Sequence, residues 1–353
     1  MDDEFNSFKF SHVIVGIFLL IFGWGLFWAG SQGIKVAWNE FGSIKYSFTS
    51  TDSVAAPFPV TTKMIEADNT ADSNLSIMIG GDVMYDRNIR KIAEKVGYDT
   101  LLSSVSPLFK KADIAVVNVE GPITSNKSKT LLPDGKTTKI LSFTFDPATA
   151  SALRESGIDV VSLANNHTDN MGIAGFNETK KWLTEAGVKY FGTPWNSTST
   201  EVVITKNGIS VAFVGYHAFQ SGLDRVVKDI KRLSSMGYFV IVMPHWGEEY
   251  VSKPSADLIA KAETLTKAGA GAIIGAHPHV IMDQSWIGKV PVLYSIGNLL
   301  FDQYFSADVM KGQIVELRLK KSGNVVSIDT LKVHATALDR TKGVILVDPK
   351  SAE

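Results

Sequence analysis

Cysteine is absent from the chain, which excludes thiolate zinc sites, iron–sulfur clusters, disulfides and a cysteine nucleophile. Any metal must then be held by His, Asp, Glu or Asn. Net charge is nearly absent too. The 35 Lys and Arg against 36 Asp and Glu leave −1, so no basic field draws nucleic acid to the surface. Histidine is scarce, with seven residues in 353. No long-period repeat occurs. The chain is 45% hydrophobic and 20% charged, enough for one large domain with appendages or for two domains.

One long uncharged run does occur, VIVGIFLLIFGWGLFWAG at residues 13–30. At about 1.5 Å per residue it reaches roughly 27 Å as a helix, close to the thickness of a hydrocarbon core. Trp24 and Trp28 lie toward its end, where interfacial aromatics gather. The tail before it, residues 1–12, carries one lysine and three acids, and no clean A-x-A site follows. A secretory signal would be shorter and preceded by basic residues. A buried core helix is the other alternative. The run predicts a single uncleaved transmembrane anchor on the cell membrane. Lys9 on one flank and Lys35 and Lys45 on the other leave its orientation open. Residues 31–74 follow as a juxtamembrane stretch and linker. Their second half is rich in Ser, Thr, Ala, Asp and Pro and buries too little apolar surface to offset its ordering entropy. Edge strands or surface loops are the alternative there.

From Leu75 the pattern changes. Apolar runs at 75–80, 113–119, 159–165, 188–193, 239–245 and 271–277 read as strands. Amphipathic stretches near 85–96, 147–156, 173–186, 223–236 and 254–268 read as helices. Strands alternating with helices imply a layered α/β domain. EVVITKNGISVAFVGYH reads as a hairpin turning at Asn207-Gly208, and the carboxy-terminal part is strand-rich with a turn at Ser322-Gly323-Asn324. One domain is expected over 75–345, with a tail at 346–353.

Nearly every predicted strand ends in a polar motif. GGDVMYDR supplies Asp82, and NVEGPI supplies Asn118 and Glu120. LANNHTDN supplies Asn165, Asn166, His167, Asp169 and Asn170. MPHWGEEY supplies His245, GAHPH supplies His277 and His279, and YSIGNLLFDQ supplies Asn298 and Asp302. One such residue is usually a helix cap, and a lone histidine is usually a satisfied core group. Helix caps do not call for repeated histidines. Strand ends gathered on one side of a sheet bring an oxygen and nitrogen ligand set together, suited to Mn²⁺, Fe²⁺ or Zn²⁺. His217, ending the hairpin strand, is read as a core histidine or as part of the cleft wall.

In order and spacing, GDVM, NVEGPI, FTFDP, GIDVVSLANNHTDN, PHWGEEY, GAHPHV and YSIGNLLFDQ closely resemble the bacterial CapA family, membrane-anchored proteins of poly-γ-glutamate capsule synthesis. The resemblance covers roughly residues 75–305. That family resembles in turn the calcineurin-like metallophosphoesterases. It implies a four-layer α/β/β/α sandwich with a dinuclear metal centre at strand ends, behind one amino-terminal transmembrane helix. It implies metal ligation by Asp82, a bridging Glu120, Asn166, His245, His277 and His279, the last two on different ions about 3.5–4 Å apart. His167 matches a group that protonates a leaving group, with Asp169 to orient it. Asn118, Asn298 and Asp302 are read as substrate-facing.

The chain departs from the superfamily at its first motif, where Asp-x-His becomes Asp82-Val83-Met84. A thioether is a poor ligand for a hard or borderline ion, so one metal position loses a donor and the expected count is one or two ions. Glu120 replaces the bridging aspartate with one methylene more. Three functions are weighed. The first is a metal-dependent hydrolase of phosphoesters or of a γ-glutamyl polymer. The second is a weakly catalytic or non-catalytic part of a polymer synthesis and export machine. The third is an anchored domain with capped helices and no chemistry. The reading preferred here is a membrane-anchored capsule protein with its domain outside the cytoplasm. Its expected partners are the membrane, an anionic polymer such as poly-γ-glutamate, and capsule synthase or export membrane proteins, with no nucleic acid.

Overall fold

The computed structural model describes residues 37–38, 44–45, 73–132, 134–196 and 201–347. The run at 13–30, most of the stretch at 31–74 and the tail from 348 lie outside the described residues. Among the described residues no helix is long and apolar enough to cross a membrane. The chain divides into two units, Met1–Ile65 and Glu66–Glu353. In the first, β1 (Ala37–Trp38) pairs antiparallel with β2 (Ile44–Lys45).

The second unit is built on two sheets. One runs through β3 (Ser73–Val83), β4 (Ile114–Val119), β5 (Val160–Ser162) and β6 (Lys189–Phe191), which are parallel neighbours. It continues antiparallel from β3 into β14 (Lys311–Ser322), β15 (Val325–Asp339) and β16 (Gly343–Leu346). The short β13 (Asn298–Leu300) joins it against the end of β3. The other sheet has the order β11 (Gln284–Ile287), β12 (Val290–Leu293), β10 (Ala272–Ile274), β9 (Phe239–His245), β8 (Ile209–His217) and β7 (Glu201–Lys206). Strand β3 starts at Ser73, two residues before the predicted boundary.

Alternation along the strands fixes the layers. Side chains two residues apart share a face. Ile77, Ile79, Val116, Ile209, Val211, Phe213, Ile241 and Met243 fill one apolar core, which takes residues from both sheets. Met78, Ala115 and Val117 turn the other way. They pack with residues of α1 (Arg87–Val96), α2 (Ser106–Lys111), α3 (Ala148–Glu155) and α4 (Gly172–Glu185). Ala212, Val214, Val240 and Val242 pack with α5 (Leu223–Ser235) and α6 (Ala256–Lys267). Three cores between four layers make an α/β/β/α arrangement. Every residue of β4 is buried, as expected of a parallel strand covered on both faces.

Two glycines let backbones approach at the end of the sheets that carries the polar motifs. A Cβ on Gly81 would lie 1.9 Å from the carbonyl oxygen of Gly297. A Cβ on Gly275 would lie 2.0 Å from the carbonyl oxygen of Tyr294 and 2.6 Å from Trp246 Nε1. No side chain fits either place. The cross-strand register then sets Asn298, Asp82, Asn118 and Ser162 in one row over β13, β3, β4 and β5.

Candidate metal centre

Ends of parallel strands from both sheets meet at one place. Asp82, Glu120, His245, His277 and His279 are all buried there. Two groups have mutually close ligand atoms, Asp82 with Glu120 and His245, and Glu120 with His277 and His279. Glu120 belongs to both.

The histidine pair sits on strained backbone. His277 has φ 98° and His279 has φ 58°, values that side chains other than glycine rarely adopt. Such positions cost on the order of 1–3 kcal/mol each and persist where surrounding contacts hold them. The His277 backbone N–H donates to Asp82 Oδ2 at 3.0 Å, and His279 Nδ1 meets Asn298 Oδ1 at 2.9 Å. Pro278 between them gives the turn its stiffness.

Amide side chains set the tautomers. Asn298 Nδ2 donates to Gln303 Oε1 at 3.0 Å and to the Val309 carbonyl at 3.1 Å, so its oxygen is the face turned to His279. His279 therefore carries its proton on Nδ1, and Nε2 is bare, 3.8 Å from Glu120 Oε1. Asn170 does the same for His167. Asn170 Oδ1 accepts the Phe143 N–H at 2.7 Å and lies 3.0 Å from His167 Nδ1. His167 Nε2 lies 3.9 Å from Glu120 Oε1. A third ring nitrogen, His245 Nε2, lies 4.0 Å from the same oxygen, 2.8 Å from Asn166 Oδ1 and 3.1 Å from His277 Nδ1.

Neither carboxylate oxygen of Glu120 has a hydrogen-bond partner, and the residue is 0% exposed. Ring nitrogens of His167 and His279 lie 3.9 and 3.8 Å from its Oε1, beyond hydrogen-bond distance. Burial, then the charges of Asp82 and Glu249, push the Glu120 pKa well above its usual value. Burial raises that of Asp82 to about 6, against hydrogen bonds from Asn118 and the His277 N–H. Burial likewise lowers the imidazoles, His277 to about 3 and His279 to about 4, and His245 well below its usual value. Protonated imidazoles are thus disfavoured as partners for the acids. A divalent cation fits this donor set. Lone pairs converge, the anion is buried, and amides hold two of the rings from behind, as outer partners of metal ligands do.

The other sequence-predicted residues have different places. Asn118 is buried, and its amide joins Asp82 Oδ1 at 2.7 Å, Asn165 at 3.1 Å and His245 Nδ1 at 3.4 Å. Asn298 is likewise committed to protein partners. Asp302 pairs with Arg87 and accepts the Asn88 side chain at 3.1 Å. In this structure the polar atoms of these three meet protein partners. The ring of His167 meets Asn170 Oδ1 at 3.0 Å. Asn165 is a loop-capping residue whose Oδ1 accepts the His167 N–H at 3.1 Å and the Thr168 N–H at 2.9 Å. Met84 turns into the apolar core, with Sδ 3.0 Å from the Asp86 nitrogen, and gives the centre no ligand. His217 is buried with Nδ1 2.6 Å from the Pro194 carbonyl, the core alternative of its two readings.

Sequence reasoning missed the aromatic wall and one cation. Phe219 packs 4.5 Å from the His277 ring, Phe143 4.4 Å from His167 and Phe301 4.8 Å from His279. Arg87, on the turn after the first motif, lies over Phe143 and Phe301. Its place in GGDVMYDR was visible in the sequence, but nothing local distinguishes it from an ordinary helix-start arginine.

Residues 76–303 match the family model described as bacterial capsule synthesis protein PGA_cap. The capsule biosynthesis protein CapA of Bacillus anthracis is 29% identical over 276 residues, 72% of this chain and 66% of that protein. The PGA biosynthesis protein CapA of Bacillus subtilis (strain 168) is 25% identical over 271 residues, 72% of this chain and 70% of that one. This chain thus spans about 66% of the length of the B. anthracis relative. Among solved structures, it is similar to the calcineurin-like phosphoesterase YfkN from Bacillus subtilis, with 16% identity and a TM-score of 0.49 over 76% of this chain and 91% of that one. A phosphatase from Mycoplasma pneumoniae is similar at 12% identity and a TM-score of 0.47 over 79% of this chain and 96% of that one. With its family model matched over residues 76–303, a span that holds every strand-end motif from Asp82 to Asp302, the chain belongs to the bacterial capsule synthesis protein family PGA_cap.

Proposed function

We propose that this chain acts in the synthesis or export of a poly-γ-glutamate type capsule, as a metal-dependent hydrolase of a bond in the anionic polymer or in a phosphoester precursor. The observation that carries this reading is the buried Glu120 carboxyl group, unpartnered and shared by two clusters of close ligand atoms, with Asp82 and His245 and with His277 and His279. In this reading Glu120, Asn166, His245 and His277 hold a divalent ion, with Asp82 and His279 beside it. Such an ion supplies Lewis acidity and lowers the pKa of bound water.

The chain's own residues do the rest. His167, fixed by Asn170, presents Nε2 to the centre and moves a proton there. Burial lowers its pKa, so at neutral pH this nitrogen accepts a proton before it donates one. Phe143, Phe219 and Phe301 exclude water from the rings they cover. Residues 13–30 anchor the domain to the membrane, with the catalytic unit on the outer face beside the synthase and export proteins.

The position of Met84 favours a second reading, in which the centre binds polymer carboxylates without cleaving them. One experiment separates the two. Metal content of the full-length chain in detergent is measured by mass spectrometry, beside Glu120→Ala and His277→Ala. Each sample is then assayed on a generic phosphodiester and on poly-γ-glutamate. At least one bound metal, lost in both variants together with cleavage, supports the hydrolase. Metal without cleavage supports the binding role. A folded wild-type chain that takes up no metal refutes both.

A further inference from the structure

Arg87 begins α1 with φ 51°, a left-handed conformation that costs an ordinary side chain energy. The turn is held on several sides. Asp86 Oδ1 accepts the Arg87 N–H at 2.8 Å and the Ser128 hydroxyl at 2.7 Å, while Asp86 Oδ2 accepts the Thr144 N–H at 3.0 Å. This geometry directs the guanidinium over Phe143, 5.2 Å from the ring centroid, and over Phe301, at 5.8 Å. Those two rings are the ones that pack on His167 and His279. One guanidinium nitrogen pairs with Asp302, which also accepts the Asn88 backbone N–H at 3.3 Å and side chain at 3.1 Å. Nε is buried with no partner, and the side chain is 16% exposed. A guanidinium has five N–H donors in a fixed fork, so donors remain after Asp302 is served.

We propose that Arg87 is the oxyanion-binding group of this centre, gripping a substrate carboxylate or phosphate beside the aromatic wall of Phe143 and Phe301. The role rests on the metal-centre reading above and adds to it a fixed cation belonging to the chain. Its placement supports it: the two rings beneath the guanidinium, Phe143 and Phe301, are the ones packed on His167 and His279. An arginine suits the task better than a lysine because its planar fork matches both oxygens of a carboxylate or phosphate.

The test compares the full-length chain with Arg87→Gln and Arg87→Lys. Binding of inorganic phosphate and of glutarate is measured by calorimetry, in Mn²⁺ and again in EDTA, and metal content is measured on the same samples. Arg87→Gln is expected to weaken binding of at least one anion about ten- to hundredfold with metal content unchanged, and Arg87→Lys to weaken it less. Loss for phosphate alone identifies a phosphoryl site, and loss for glutarate alone a carboxylate site. Anion affinity within twofold of wild type in Arg87→Gln overturns the proposal. Loss of metal with the anion also overturns it, since Arg87 is then a support of the metal ligands. If wild type takes up no metal, the proposed function fails, while the EDTA titrations still decide the role of Arg87. Should both variants melt early, butanedione modification of Arg87 in the unmutated chain, mapped by mass spectrometry, replaces them. Phosphate or glutarate must slow that modification, and an unchanged rate refutes the assignment.

Discussion

Glu120→Leu should make the metal-free protein more stable and the metal-loaded protein less so than wild type. In the absence of an ion, Glu120 is a fully buried carboxyl group whose two oxygens have no hydrogen-bond partner. Leaving a buried polar group unsatisfied costs about 1–3 kcal/mol, and an apolar replacement of similar volume removes that cost. For a domain of this size, roughly 2 °C per kcal/mol gives a rise of about 2–6 °C in melting temperature. Saturating metal acts the other way. An ion at about 1,000 times its Kd stabilises the native state by about 4 kcal/mol, and a leucine side chain at this position offers the ion no ligand. The two melting curves should therefore exchange order between EDTA and Mn²⁺, read by circular dichroism on the full-length chain in detergent. Glu120→Leu melting below wild type in EDTA, or gaining as much from Mn²⁺ as wild type does, would refute the reasoning.

Asn170→Ala leaves His167 Nδ1 without its acceptor, so hydrolysis should fall about ten- to hundredfold while metal content, read by mass spectrometry, stays constant. Gly275→Ala drives a methyl to 2.0 Å from the Tyr294 carbonyl oxygen and should destabilise the fold by about 3 kcal/mol, measured by urea denaturation. Asp113 accepts the Ser76 N–H at 2.9 Å and hydroxyl at 2.7 Å; burial alone would raise its pKa, but these bonds and Lys206 outweigh it and hold the carboxyl below its usual value. Its stabilisation is present above the ordinary aspartate pKa and is lost as pH falls through the depressed folded value. Asp113→Ala should cost about 1–2 kcal/mol at pH 7, and urea midpoints of the two proteins should converge in acid.

The order of strands and helices was legible because period-2 and period-3.6 patterns are local. The predicted strands at 113–119 and 239–245 correspond to Ile114–Val119 and Phe239–His245, and the predicted helix at 223–236 to Leu223–Ser235. Asn207-Gly208 marks the turn between β7 and β8 as expected, with Asn207 at φ 52°. The short strand Asn298–Leu300 escaped notice because its existence depends on lying against the end of β3, a contact its own three residues do not encode. The separate roles of the asparagines were illegible for the same reason. Asn118, Asn165, Asn166, Asn170 and Asn298 share one chemistry, and only three-dimensional neighbours decide which faces the centre.

Those neighbours divide the five amides into two jobs. Asn166 alone aims its oxygen at the cluster of ring nitrogens, 2.8 Å from His245 Nε2. The other four hold something in place: Asn118 holds Asp82, Asn165 holds the loop entering His167, Asn170 holds His167 and Asn298 holds His279. An amide suits such work because it is neutral and offers both a donor and an acceptor, and each face can be fixed by a second contact. A carboxylate in place of Asn170 or Asn298 would add charge beside rings that already lie close to buried Glu120. It would raise their proton affinity, favour imidazolium, and let a proton take the place that the lone-pair geometry leaves for a metal. The choice of asparagine over aspartate behind the rings therefore keeps the centre short of positive charge. In the function proposed above, the positive charges it accepts are Arg87 at its edge and a divalent ion at Glu120.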